Sequence, residues 1–425
     1  MRTTAVPRMA TSTTRDRSLL LRLQSQALQY FLDNQTPVGL VLDRQRNHGS
    51  LRTGGLCSIA ATGMGCIALA LASEEPYRLL RRCEAIERIR LALQTTLHIL
   101  PHQSGILPHF VDSQTGRVYG YDCYSTIETA WMAAGALSAA ALLGDGELDA
   151  LARELTERID WYYWTAPEES NTPLLRHGKT QDGRFIPSAW DRLNGETVFM
   201  YVLAAGAAEP QAVPVAVWSH LGSFHGTAAG LQFNNSDLGL FVFQYGLDLL
   251  NLSDWLAPNG IDLATESGVA AEANYRVCRE LADTYTTYRD YWGLSAGDGP
   301  DDPPENFTYR CYAPSGPIDG TAHITATLAS IAHRPDLVWE NLHRAAHEQR
   351  WPILGRYGFS NVNADRDWFA SDMVGIDAGA AVLALDNYLN ENRVRNVFHS
   401  IPCVQRGLER SGFQAPLPPP PVRAA

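Results

Sequence analysis

Two kinds of apolar segment alternate along the chain. Ser58 to Ala72, Trp131 to Leu143, Val198 to Gly206 and Leu238 to Leu252 are apolar on nearly every face, apart from exceptions such as Gln244. Glu84 to Leu100, Glu147 to Trp164 and Asp336 to Gln349 instead carry apolar residues only at helical spacing. The first kind predicts helices buried on several sides, the second amphipathic helices with one face to water. Leu19 to Leu32, Thr265 to Tyr288, Ala322 to Ala332, Asp377 to Asn390 and Asn392 to Ser411 read as further helices, making about twelve in all. Polar, turn-rich stretches separate them at Val38 to Gly55, Trp292 to Pro300 and Tyr357 to Asp372, and Gly105 to Tyr121 suits a short hairpin or loop. No Gly/Ser linker divides the chain. The expectation is therefore a single all-α domain over residues 18–414, with a flexible arm at 1–17 and a proline-rich tail at 415–425. Buried helices alternating with amphipathic ones fit two concentric rings, an (α/α)6 barrel, in which the loops before the inner helices gather into one cleft.

Three carboxylates fall at or just before the start of candidate inner helices. Glu196 opens the central one beside Trp190, and because Asn194 and Gly195 already suit the capping positions, Glu196 is not needed as a cap. A carboxyl at the mouth of an apolar core favours the neutral acid, although a first-turn Glu also simply complements the helix dipole. Glu128 lies three residues after Ser125, the spacing of a capping box, so a purely structural role competes evenly with a catalytic one. Asp319 precedes Gly320 and Thr321 at the third start. Two carboxyl groups facing each other across a sugar-sized cleft, one protonated and one ionised, can cleave a glycosidic bond. Trp190, Tyr245, Trp292 and Trp368 are candidate platforms for sugar rings.

Competing chemistry is absent from the sequence. There is no phosphate-cradling glycine loop, no metal-binding histidine pair on a helix and no elbow around a nucleophilic serine, so no metal or cofactor is implied. His109, His225 and His323 are scattered and read as hydrogen-bonded loop residues. A net charge of −12 disfavours nucleic acid and anionic membranes and is compatible with a neutral substrate. Seven widely spaced cysteines read as free buried thiols in a reducing compartment. The first residues hold no apolar stretch of signal-peptide length, and no run of about 20 apolar residues predicts a membrane span. Cytoplasmic residence is the expectation, or periplasmic or secreted if a leader was removed.

Several segments in fixed order resemble a known family. These are Gly39 to Arg44; Ser58 to Gly63; Ser125 to Ala130; Glu196 with Tyr201 and Gly206; Trp292 to Pro300; Asp319 to Thr321; Tyr357 to Phe359; and Gly375 to Asp377. The chain is similar, from about Gln26 to Phe413, to the glucoamylase-like domain of bacterial endo-β-1,2-glucanases of glycoside hydrolase family 144 and their relatives, including the transglycosylating domain of cyclic β-1,2-glucan synthases. The resemblance implies an (α/α)6 barrel acting on β-1,2-glucan or its oligosaccharides, with Glu196 as general acid and a second carboxylate at Glu128, where the family usually has Asp. It also implies substrate contacts from Arg44, Asp122, Trp190, Tyr245, Trp292, Asp298, Trp368 and Asp377. The chain departs from the family at Cys123 and Tyr124, at Ile318 and around Phe243 to Tyr245, which marks a divergent branch. Three functions follow: an inverting hydrolase in which Glu128 or Asp319 directs water, a retaining transglycosylase, or a glucan-binding protein that has lost catalysis. Oligomeric state is not predicted.

Overall fold

The computed structural model describes residues 14–222, 224–303 and 306–415, apart from the side chains of Thr14 and Asp122. Fourteen α-helices run through them. The first seven are α1 Thr14–Asn34, α2 Ile59–Ala72, α3 Arg82–His98, α4 Thr126–Leu143, α5 Gly146–Glu157, α6 Gly195–Gly206 and α7 Leu240–Gln244. The rest are α8 Leu263–Glu280, α9 Thr287–Asp290, α10 Ile324–Ala329, α11 Pro335–Ala346, α12 Gly375–Leu389, α13 Arg393–His399 and α14 Pro402–Ser411. Helix α1 begins inside the stretch expected as an arm; residues 1–13 and 416–425, which hold the rest of that arm and nearly all of the expected tail, lie outside the described residues.

The two sequence patterns sort as burial demands. Every residue of α2 is buried, as are nearly all of α4, α6 and α12, whereas α3, α5, α8 and α11 bury one face each. Helix α4 is long and apolar enough to cross a membrane by length and composition alone, but its apolar surface is taken up by the core. The buried helices touch in succession: α2 on α4, α4 on α6, α6 on α7, α7 on α10, α10 on α12 and α12 back on α2. Around them, α3 and α5 pack on α2 and α4, α1 on α2 and α12, α8 on α7, α11 on α10 and α14 on α6. Between α2 and α4 the backbones themselves meet. A Cβ on Gly135 would lie 2.0 Å from the Gly63 carbonyl oxygen, and one on Gly63 would lie 2.3 Å from that of Trp131.

Short strands complete the fold: the hairpin expected within Gly105 to Tyr121 forms as the third and fourth of them, and the others lie outside the predicted pattern. The strands are β1 Arg44–Arg46, β2 Leu56–Ser58, β3 Pro108–Asp112, β4 Val118–Ser125, β5 Gly178–Lys179 and β6 His225–Ala228. The set continues with β7 Leu231–Asn234, β8 Ala296–Pro300, β9 Phe307–Cys311, β10 Val362–Asn363, β11 Trp368–Phe369 and β12 Asp372–Val374. Strands β2 to β5 form one antiparallel sheet; the others pair in twos, β1 with β12 and the rest as the hairpins β6–β7, β8–β9 and β10–β11. Strands β2, β4 and β12 each run directly into a buried helix, so these strands share the side of the molecule on which α2, α4 and α12 start. The all-α expectation is corrected accordingly: helices make the body, and small antiparallel sheets frame its helix starts.

Five expected helices are also shorter or split: Glu147 to Trp164 ends as an α-helix at Glu157, Ala322 to Ala332 becomes α10 followed by a 3-10 turn at Ser330–Ala332, and the other three differ as follows. Leu238 to Leu252 divides into α7 and a 3-10 turn, Gly246–Asp248, because Gly246 is pressed against the Gly195 carbonyl, where a Cβ would come within 1.7 Å. Asn392 to Ser411 divides at Pro402, which has no N–H to continue a helix and instead starts α14. Helix α8 stops at Glu280, before the turns leading to α9. All the cysteines are free, but Cys83 and Cys311 are exposed, which corrects the reading of uniformly buried thiols. The chain's single lysine, Lys179, ends β5 inside an aromatic cage, 4.2 Å from the Phe185 ring centre and 4.6 Å from that of Tyr163.

The contact at Gly63 and Gly135 makes a direct prediction. Gly135→Ala forces two backbones apart and costs about 1–3 kcal/mol or more. Gly146→Ala, which places a methyl group in open space, stays within about 0.5 kcal/mol of wild type. Thermal unfolding of the two variants side by side checks both; equal effects would contradict the close-packed crossing.

Candidate active site

Glu128 lies in the first turn of α4, yet the expected capping box does not form: Ser125 makes no side-chain cap bond there. The carboxylate crosses to the start of α2 instead. Its Oε2 accepts from the Ala60 N–H at 2.7 Å and the Ser58 hydroxyl at 3.2 Å, while Oε1 faces His109 Nε2 at 3.4 Å. Glu128 therefore shares the N-terminus of α2 with its cap Ser58, which accepts from the Ala61 N–H, at an end where backbone N–H groups and the dipole favour an anion. Burial still pushes its pKa above the ordinary carboxylate value, opposed first by His109 and then by the Ala60 and Ser58 bonds.

Glu196 sits in the first turn of α6, whose cap is supplied by Asn194 accepting from the Thr197 N–H at 3.0 Å. Freed from capping, Glu196 is only partly buried as a residue. Burial is the main force lifting its pKa, to about 7; the nearby Glu128 charge lifts it further, and a hydrogen bond from the Trp131 indole opposes. The two glutamates thus differ in support. Glu128 has two hydrogen-bond donors and a histidine, Glu196 one indole.

Further groups converge on them. Arg44 Nη1 pairs with Asp298 Oδ2 at 3.0 Å, and its Nε lies 3.4 Å from Asp43 Oδ2. Burial raises the pKa of both aspartates, with Arg44 the main opposing influence. Asp377, in the first turn of α12, places Oδ2 3.4 Å from His323 Nε2, and His323 Nδ1 accepts from the Ala326 N–H as the cap of α10. Tyr245 stacks on Phe241 with ring centres 4.8 Å apart, and its buried hydroxyl is influenced by Asp377, Glu196 and Glu128. From β9, Tyr309 is partly exposed, and its hydroxyl is influenced by Asp377, Asp298 and Glu196. Among the described residues, the buried Tyr245 hydroxyl, Asp298 Oδ1 and Asp377 Oδ1 have no hydrogen-bond partner within the protein. Trp190 stands beside the start of α4, its indole donating to Thr126 Oγ1 at 2.9 Å and its ring tilted against His177.

The structure thus brings Glu196, Glu128, Arg44, Tyr245, Asp298 and Asp377 together, with Trp190 close by. Three others have different immediate surroundings. Asp319 is committed to its own turn, accepting from the Thr321 N–H at 2.9 Å and the Tyr312 hydroxyl at 3.0 Å. Trp292 is buried edge-on to Tyr275 of α8, and Trp368 is buried within the β10–β11 hairpin; neither offers an open ring face. The Asp122 side chain lies outside the described residues. Asp43, Trp131 and Tyr309 carried no assigned role in the sequence, where only the Asp43–Arg44 adjacency in a family-like segment hinted at one of them; His109, read there as a hydrogen-bonded loop residue, instead lies in β3 and faces Glu128.

The lifted Glu196 pKa fixes a sign for stability. Because the folded-state value, about 7, exceeds the ordinary 4.5, the ionised group destabilises the fold; this cost is absent below about pH 4.5 and develops as pH rises through about 7. Glu196→Gln therefore gains stability relative to wild type as pH rises from about 4.5 to about 7 and keeps that gain above it, by up to about 3 kcal/mol. Calorimetry across that range checks it, and a pH-independent difference would contradict the assignment.

No curated protein matches the chain. Among solved structures, one described as a putative glucoamylase from Bacteroides uniformis superposes with a TM-score of 0.81 at 21% identity, covering 96% of this chain and 99% of that one. An endo-beta-1,2-glucanase from Chitinophaga pinensis, solved with sophorotriose and glucose, gives 0.80 at 21% identity over 94% and 98%. An endo-beta-1,2-glucanase from Talaromyces funiculosus, solved with sophorose, gives 0.65 at 10% identity over 94% and 90%. These likenesses establish a shared fold. The family described as "Glycoamylase: Putative glucoamylase" matches residues 187–402, a little over half of the chain and including Glu196, Asp298 and Asp377, and the protein belongs to that family.

Proposed function

We propose that the chain is a glycoside hydrolase on an (α/α)6 barrel that cleaves β-1,2-glucan internally, with Glu196 as general acid and Glu128 directing the attacking water. The barrel reading is supported by the succession of buried helices α2, α4, α6, α7, α10 and α12, each touching the next and the last touching the first, with one-faced helices outside. The chemistry rests on one observation: Glu196, lifted to about 7, stands near a second carboxylate that is better supplied with donors. Near neutral pH the first can hold a proton while the second carries charge, the division of labour that glycosidic cleavage needs.

In this reaction the Glu196 carboxyl gives its proton to the glycosidic oxygen as the bond from that oxygen to the anomeric carbon breaks. Water attacks the anomeric carbon from the opposite face and loses a proton to Glu128, so the anomer inverts. The unpartnered Tyr245 hydroxyl, Asp298 Oδ1 and Asp377 Oδ1 suit a ligand rich in hydroxyl groups, which can donate to carboxylates and accept from a phenol. Arg44 holds Asp43 and Asp298 in place. The β-1,2 linkage is proposed because the glucanases of similar fold were solved with sophorose and sophorotriose.

Incubated with linear β-1,2-glucan, the protein is expected to release short oligosaccharides whose new reducing ends appear as the inverted anomer by proton NMR. Glu196→Gln lowers kcat by about 10²–10⁴-fold while the fold is kept. In the wild type, kcat/KM falls on the alkaline side as Glu196 ionises near pH 7. A Glu196→Gln protein that still turns over polymer at the wild-type rate overturns the acid assignment.

A further inference from the structure

An aromatic strip runs outward from Glu128 along one face of the β2–β5 sheet. Ser58 of β2, which donates to Glu128, is paired with Phe110 of β3, and Phe110 in turn is paired with Tyr119 of β4. Directly paired residues project to the same face, so Ser58, Phe110 and Tyr119 form one row. Their sequence neighbours Cys57 and Val111 point the other way into the core, with 0% and 1% exposure. The register slips between Pro108 and Phe110, and such a bulge re-aims a side chain. His109 accordingly lies on Phe110 rather than opposite it, stacked with ring centres 3.9 Å apart and planes within 15°, while its Nε2 faces Glu128. Tyr119, at the end of the row, is 57% exposed, and Tyr121, in the stretch of β4 without β3 partners between Tyr119 and Tyr124, is 72% exposed.

Tyr119 and Tyr121 are among the most exposed large hydrophobic side chains in the described residues, and both are on the hairpin that feeds α4. A tyrosine presents a flat apolar face with a polar tip, which suits the alternating C–H faces and hydroxyl edges of a pyranose better than it suits a protein core. The strip is also continuous with the site: one end is the histidine against Glu128, the other is open solvent.

We propose that Tyr119 and Tyr121 form an outer glucan-binding subsite that holds the polymer beyond the sugars flanking the cleaved bond, and so makes the enzyme prefer long chains. The proposal rests on the glucan reading above. A sugar chain leaving the cleft past Glu128 meets His109 and Phe110 first and then the two tyrosines. Short oligosaccharides end before reaching them, so the strip contributes to polymer binding selectively.

The test is the double variant Tyr119→Ala/Tyr121→Ala, with Tyr119→Trp/Tyr121→Trp as the ring-preserving control. Wild type and both variants are assayed on linear β-1,2-glucan and on a β-1,2-linked trisaccharide. The alanine variant is expected to lower the ratio of polymer to trisaccharide kcat/KM by about tenfold, equivalent to about 1.4 kcal/mol, and the tryptophan variant to restore the ratio. An unchanged ratio overturns the proposal, as does an equal loss of the ratio in both variants. If the wild type cleaves no β-1,2-glucan, the hydrolase reading fails. The strip is then judged by retardation in native gels cast with soluble β-1,2-, β-1,3- or β-1,4-glucan. Retardation that the alanine variant loses sustains the subsite, and no retardation of the wild type in any gel overturns it.

Discussion

The contact on which the site depends is that of Glu128 with the N-terminal end of α2. A carboxylate in the first turn of α4 would ordinarily serve its own helix, but here it satisfies the Ala60 N–H of a neighbouring one. That is possible only because α2 and α4 touch backbone to backbone at Gly63 and Gly135, with no side chain between them. Larger residues at either glycine would carry the end of α2 out of reach. Helix packing, rather than local sequence, therefore fixes where this charge sits and how it is oriented.

The charge has consequences across the cleft. Glu196 is enclosed by apolar helix surface and has the Trp131 indole as its donor, so the nearby anion adds to the effect of burial and favours its protonated form. Around the pair, Asp43 and Asp298 form an acidic group balanced chiefly by Arg44, while His109 moderates Glu128. A second arginine-rich knot lies just behind. Asp372 is fully enclosed and pairs with Arg46 at 3.1 Å and Arg52 at 2.7 Å, holding β12 beside β1 and so fixing Arg44 at the end of β1. Breaking one partner of such a buried pair is costly, which ties the position of the Arg44 guanidinium to the strand pairing rather than to a flexible loop.

Much of this was legible from the residues alone, for identifiable reasons. Apolar faces report burial directly, so the distinction between α2 or α6 and α3 or α11 could be read from spacing. Glu196 stood out because Asn194 already filled the capping position beside it, and the structure has Asn194 in that role. Glu128 was ambiguous for a physical reason: the Ser125 spacing permits a local cap, and only the non-local approach of α2 decides against it. Trp292 and Trp368 were misplaced because composition does not distinguish a core indole from a sugar platform. Asp43 and Tyr309 escaped a role, and His109 was read as a loop residue, because they lie on a loop and on strands too short for an alternating pattern to register. Gly246 against Gly195 split a helix that periodicity made continuous.

The short strands explain how a helical body can hold a selective cleft. Helix starts supply backbone N–H groups and first-turn carboxylates, and these are nearly invariant in direction because the buried helices are locked on all sides. They fix where charge is held, but they end at the cleft floor. Anything further from the body must be carried by the hairpins, whose outer faces owe nothing to the core: β8 and β9 bring Asp298 and Tyr309 over the carboxylates, and β3 and β4 lead aromatic rings away from Glu128. Substitutions on those outer faces leave the packing of α2 and α4 untouched. The carboxylate pair and the outer faces of these hairpins can therefore vary independently.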